Sequence, residues 1–165
     1  MTGAAMRMTL TTQLDCPIDT VWTQVHRPDL LQHIAWPLIR FTYRAPRTPP
    51  PRWVEGRYRV GMWSFGVLPL GGQWVGIEYP EGSSIADGKA VLRDNGSGTL
   101  IRKWDHWIFL EDLGNGRTRY TDRLDVEAGV LTPFVWLFAR LFYGHRQRRW
   151  RTLVATGFTA LASEE

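Results

Sequence analysis

The 165-residue sequence has one cysteine, Cys16, which excludes an internal disulfide framework and a cysteine-rich zinc site. That scarcity fits a reducing compartment. No apolar run approaches the ~20 residues of a membrane span. The opening MTGAAMRMTL lacks the basic segment and apolar core of a secretory signal, so a cytoplasmic location is expected. Charged residues are 22% of the chain and apolar residues 44%, which argues against a disordered or fibrous class. A chain of this length buries roughly two-thirds of the surface exposed when unfolded, enough for one core. Residues 1–165 are therefore expected to form a single domain, with 1–7 a flexible lead-in. Acidic residues are absent between Glu127 and Glu164, a window that holds Arg140, Arg146, Arg148, Arg149 and Arg151.

Aromatic residues are what the chain has in excess. Nine Trp, seven Phe and five Tyr make it 13% aromatic, and large rings on many strands line a hollow or a thick core. The net charge is +4.

Residues 8–14 alternate as a strand. The segment Asp15-Cys16-Pro17-Ile18 then opens a helix with Ile18, Val21, Trp22 and Val25 at helical spacing, and Pro28 ends it and starts a second short helix. From Leu38 to Val126 the period is two. Strands are predicted over 39–44, 58–62, 73–79, 89–93, 100–110 and 117–126. Asp94-Asn95-Gly96-Ser97-Gly98 reads as a turn, and Asp112-Leu113-Gly114-Asn115-Gly116 joins the last hairpin. The proline-rich 45–52 reads as a loop within the domain. Gly61, Gly66, Gly71, Gly72 and Gly76 form no dinucleotide or phosphate loop and mark bends, or a hairpin turn at Gly71-Gly72. From Leu131 the period is helical to about Leu161, one helix of roughly 30 residues and ~45 Å.

The fold class is therefore α+β: a curved antiparallel sheet of about seven strands around one long C-terminal helix, with two short helices after strand 1. The segments CPIDTVWTQVHRPDLLQHIAWP, GSGTLIRKWDHWIFLED, TRYTDRLDVEAG and LTPFVWLFARLFYGHRQRRWR carry a resemblance over nearly the whole chain. It resembles the helix-grip fold of the START, Bet v 1 and polyketide-cyclase superfamily (SRPBCC), and within it a bacterial polyketide-cyclase-like branch. The resemblance implies a cavity between the concave sheet face and the long helix.

Parity indicates which side chains face such a cavity. In 117–126, Arg119, Thr121, Arg123 and Asp125 point to solvent, so Thr118, Tyr120, Asp122, Leu124 and Val126 point in. A three- or five-residue turn would pair Asp122 with His106, Ile108 with Tyr120 and Trp104 with Leu124, placing Arg102, Trp104, His106 and Ile108 inward; a one-residue slip would bury Trp107 instead. His106 with Asp122, and Arg102 nearby, is the sharpest constellation. A carboxylate beside an imidazole fixes its tautomer and raises its proton affinity. The pair fits an acid–base catalyst, a ligand-orienting group, or a self-satisfied buried pair tying two strands together. Elsewhere His26, His33 and His145 lack metal-ligand spacing, so no metal is predicted. No cofactor signature is present. Cys16 near a helix start reads as a packed residue rather than a reactive thiol.

The stretch 131–143 is apolar nearly all round: Leu131, Phe134, Val135, Trp136, Leu137, Phe138, Leu141, Phe142 and Tyr143. One side would roof the cavity. The other would be covered by 45–52, would form a ligand entrance, or would pack a homodimer. Further along, Trp150, Leu153, Val154, Gly157 and Leu161 share one side, with Arg140, His145, Arg148, Arg149 and Arg151 on the other. Such a basic arc beside an apolar segment would suit a module that docks on a membrane surface or RNA, the third alternative for function. It is ordinarily a solvated face, however, and nucleic acid or a membrane surface is the less favoured partner.

The leading expectation is binding of a hydrophobic or aromatic small molecule, such as a lipid, quinone or polyketide. Tyr58, Val60, Met62, Trp104, Ile108, Tyr120, Phe138 and Phe142 would form the walls, and Arg102, His106 and Asp122 would orient the ligand. The alternative implied by the resemblance is a cyclase or dehydratase in which His106 moves a proton and Tyr120 or Arg102 steadies an oxyanion.

Overall fold

The computed structural model describes residues 3–162. Strand β1 (Met6–Leu14) is followed by helices α1 (Ile18–Val25) and α2 (Pro28–Ala35). Six strands follow: β2 (Ile39–Ala45), β3 (Gly56–Ser64), β4 (Leu68–Glu78), β5 (Lys89–Gly98), β6 (Lys103–Gly114) and β7 (Arg117–Glu127). After a turn of 3-10 helix come the long helix α3 (Thr132–Ala155) and a last turn, α4 (Thr159–Ala162). The strands form one antiparallel sheet in the order β1-β7-β6-β5-β4-β3-β2, with β1 closing against β7. This is the helix-grip architecture, the sheet wrapping α3.

Local chemistry accounts for the elements. Ile18, Val21 and Val25 bury one face of α1, and Asp19 complements its N-terminal dipole. Pro28 occupies the first turn of α2, where its missing N–H costs nothing. The β6–β7 turn needs left-handed backbone, which Gly114, Asn115 and Gly116 provide at φ 78, 53 and 68. In β7 the alternation is complete, with Thr118, Tyr120, Asp122, Leu124 and Val126 buried. On the outer face, Trp107 lies beneath the guanidinium groups of Arg93 (4.7 Å) and Arg123 (5.1 Å), which lets a large ring sit outside while His106 turns in.

Several local expectations are corrected. Met6 and Arg7, expected in the flexible lead-in, already pair with Val126 and Asp125. The Asp94-to-Gly98 segment is not a turn but the second half of β5, pairing with β4 and β6. Its glycine serves close approach instead: a Cβ at Gly96 would lie 2.9 Å from the Trp74 carbonyl oxygen, and one at Gly76 2.5 Å from that of Asn95. The β3–β4 turn lies at Phe65–Gly66, not Gly71-Gly72. The β6–β7 register is two residues from that expected, because the turn is tighter and a bulge follows Asp112. His106 pairs with Leu124, Ile108 with Asp122, Leu110 with Tyr120, and Trp104 with Val126. A shift of two preserves every face.

The long helix also ends earlier than its apolar spacing suggests. Gly157 (φ 62) leaves the helix left-handed; its N–H bonds the Val154 carbonyl at 3.1 Å and that of Phe158 the Leu153 carbonyl at 2.9 Å, a Schellman closure. The Phe158 ring then meets Trp150 edge-on at 6.3 Å. Gly157 is therefore a stop and not a member of the apolar stripe.

Candidate functional site

The buried stripe of α3 runs through Ala139, Phe142, Tyr143, Arg146, Gln147, Trp150 and Leu153. These positions recur three and four residues apart, so all face the concave sheet. Between this stripe and β2–β6 lies a cavity of about 470 Å³. Its walls are mainly apolar, among them Leu31, Ile39, Phe41, Met62, Leu70, Val75, Trp104 and Phe142. Leu100, Leu131, Phe134 and Phe138 contribute to the same cavity and are exposed, so they form its rim. A second, inner chamber of about 50 Å³ shares Leu31, Val75, Asp94 and Arg146 with the first, and is otherwise lined by residues including His106, Ile108, Tyr120 and Trp150. Asp94 and Arg146 thus line both chambers, and the smaller one adds His106 and Tyr120 to an otherwise mainly apolar lining.

Around these residues the buried polar groups form a connected set. His106 Nε2 donates to Asp122 Oδ1 at 2.7 Å. Gln147 Nε2 donates to Asp122 Oδ2 at 2.8 Å and to the Leu10 carbonyl at 3.0 Å. Both Asp122 oxygens are therefore engaged, and the carboxylate defines the tautomer of His106. The imidazole lies against the Tyr143 ring at 4.7 Å, and Trp104 Nε1 donates to the Tyr143 hydroxyl at 3.2 Å. Burial pushes the Tyr120 and Tyr143 phenols upward, so both stay protonated donors.

Asp94 accepts the Gly76 N–H at 2.8 Å. Burial raises its carboxyl above the ordinary 3.8, against the opposing pull of His106, the Gly76 bond and Arg146. Arg146 is 6% exposed. Burial works against its charge, but Tyr143, Asp122, Tyr120 and Asp94 together favour the guanidinium form. It stacks on Tyr143 at 4.5 Å. Among the described residues it joins no ion pair, and its Nε lacks a hydrogen-bond partner. The Trp150 indole N–H, fully buried, also lacks one.

The residues singled out in the sequence distribute unevenly. Met62, Trp104, Phe138 and Phe142 line the large cavity; His106, Ile108 and Tyr120 line the inner chamber. Asp122 sits behind His106. Tyr58 and Val60 line neither, because Trp53 fills their end of the hollow, its ring 4.9 Å from that of Tyr58. Arg102 is exposed, lying outside the sheet just before β6 begins, so the basic group at the site comes from α3. Burial raises the Cys16 thiol to about 11, and Asp15 adds to the rise, which suits an inert packed residue. The proline-rich 45–52 does not cover α3: Pro49, Pro50, Pro51 and Arg52 lie beside Pro28 and Asp29. Part of the arginine arc is structural, with Arg149 bonding the His33 carbonyl at 2.8 Å and Arg151 the Thr12 hydroxyl at 2.8 Å.

Asp94, Arg146, Gln147 and Trp150 were missed as site residues. Asp94 was hidden by the turn-like Asp-Asn-Gly-Ser-Gly composition, although it continues the inward parity of Ala90 and Leu92. Arg146 and Gln147 carry a positional signal: both lie three or four residues from Tyr143 and Trp150.

No curated protein matches the chain. Among solved structures it resembles a START superfamily protein from Mycobacterium smegmatis (TM-score 0.61, 17% identity, covering 91% of this chain and 97% of that one). A conserved protein from Geobacillus kaustophilus aligns with TM-score 0.59 and 12% identity over 92% and 96% of the two chains. Ara h 8.0201 does so with TM-score 0.64 and 11% identity over 93% and 99%. Identities this low speak to fold and not to ligand. A family profile described as a domain of unknown function (DUF8410) matches residues 12–154, from the end of β1 through nearly all of α3. The chain therefore belongs to the DUF8410 domain family, built on a START/Bet v 1-like helix-grip fold.

Proposed function

We propose that the protein binds a hydrophobic or aromatic small molecule, of lipid, quinone or polyketide-like character, between its sheet and α3. The observation that carries this reading is the 470 Å³ cavity, whose volume and mainly apolar walls suit a ligand of a few fused rings or a bent acyl chain. Its rim supports the same reading: Phe134 is 73% and Leu100 68% exposed, an apolar mouth over which a poorly soluble molecule would enter. Met62, Trp104, Phe138 and Phe142 supply contact area at low rotamer cost.

The neutral fluorophore N-phenylnaphthylamine tests the reading directly. Saturable binding that Leu70→Trp abolishes supports it, since Leu70 lines the cavity and a larger ring there fills it. Absence of binding by wild type, together with bare protein in native mass spectrometry, overturns it.

A second reading, acid–base catalysis by His106, is favoured by one observation: the imidazole is held by Asp122 and also lines the inner chamber with Asp94. It requires His106→Asn to abolish turnover of a bound substrate while leaving its affinity within about threefold. Joint loss of binding and folding stability would make the pair structural.

A further inference from the structure

We infer that the inner chamber receives the acidic head of the ligand, so that the molecule bound is an amphipathic carboxylic acid whose apolar body fills the outer cavity and whose anion is paired by Arg146. This rests on the binding reading above and names the class of molecule it concerns.

Two unpartnered donors carry the inference. Arg146 is nine-tenths buried, with an orphaned Nε and no ion pair among the described residues. Trp150 is completely buried with an orphaned indole N–H. Both line the same chamber. A buried donor without an acceptor is costly, and a buried guanidinium without an anion more so.

Among the described residues, neither carboxylate near the chamber forms an ion pair with Arg146. Both oxygens of Asp122 are taken by His106 and Gln147. Asp94 accepts the Gly76 N–H on Oδ1, and its carboxylate makes no hydrogen bond or ion pair with Arg146. What is missing is a group that only accepts, and a carboxylate is such a group, with a shape that matches the guanidinium fork.

Size limits what can enter. A chamber of about 50 Å³ holds a group the size of one or two water molecules, not a ring or an acyl chain. The body must then remain in the larger cavity, which meets the inner one at Asp94 and Arg146. Burial shifts the Asp94 carboxyl toward its protonated form, which lessens its repulsion of an anionic head. The other charged or titratable groups at that position are His106, Arg146, Tyr120 and Tyr143, with Asp105 acting on Asp94 from farther off.

The test compares cis-parinaric acid with its methyl ester by fluorescence titration. The wild type is expected to bind the acid about tenfold to a hundredfold more tightly than the ester. In Arg146→Met the acid falls to the level of the ester while the ester holds its affinity. Arg146→Lys, which keeps the charge but not the fork, falls between. Trp150→Phe keeps a ring, loses the donor, and weakens the acid by several-fold only. Equal binding of acid and ester by wild type overturns the acidic head and leaves the cavity reading standing. Binding of neither overturns both. If Arg146→Met weakens acid and ester alike, the side chain supports the fold and the inference fails.

Discussion

At the residue scale, two buried charged groups, Asp122 and Arg146, differ in what surrounds them. Asp122 is 1% exposed and engaged on both oxygens, so removing it strands His106 and Gln147. Asp122→Ala is expected to lower stability by about 3 kcal/mol in urea unfolding. Arg146 has no such partners. Arg146→Met keeps much of the volume and breaks no hydrogen bond or ion pair among the described residues, and its unfolding midpoint is expected to shift far less than that of Asp122→Ala. Asp94 has a pH-dependent effect of definite sign. Its folded carboxyl titrates above the ordinary 3.8, so the folded state holds the proton longer than the unfolded one. The stability this contributes is full below 3.8 and is lost as pH rises through the folded value. Asp94→Asn should therefore match wild type in acid and gain on it progressively as pH rises above the ordinary 3.8, as read by paired thermal melts.

At the scale of the element, the informative positions are those where composition and geometry disagree. Gly76 and Gly96 let β4 and β5 approach where the sheet curls, and a Cβ at Gly76 would meet a backbone oxygen that cannot move away. Gly76→Ala is expected to cost about 2 kcal/mol. Gly157→Ala should cost about 1 kcal/mol by straining the left-handed end of α3, without changing probe affinity in the cavity. Both are measured by chemical denaturation. The alternation of β6 and β7 was legible because Thr118, Tyr120, Leu124 and Val126 share one parity. The register was not, since it depended on a two-residue turn at Asn115-Gly116 and a bulge after Asp112. The face of each side chain survived because the error was an even number of residues.

At the scale of the whole molecule, an unfilled volume is retained beneath a helix that exposes much of its apolar side. Phe134, Leu137 and Leu141 face outward, at 73%, 52% and 65% exposure, and 45–52 leaves them uncovered. An empty apolar space forfeits packing energy that a larger side chain would recover. Leu70→Trp is thus expected to raise the melting temperature by about 2–4 °C, measured in the same melts, as well as to abolish probe binding. No helix among the described residues is long and apolar enough to cross a membrane.

What the sequence determined by itself was whatever depends on near neighbours in the chain. Period two from Leu38 to Val126 and helical period after Leu131 specified the strands, the gripping helix and the inward faces, including those of His106 and Asp122. Pro28 marked a helix start by its fixed backbone angle. Only the tertiary structure decided which inward residues share a space. Trp53, from the loop between β2 and β3, closed one end of the hollow and removed Tyr58 and Val60 from the walls. Gln147, 25 residues from Asp122, completed the carboxylate's bonds, and Arg146 replaced Arg102 at the site. Such encounters follow from how the sheet curls and where α3 crosses it, quantities that no local period encodes.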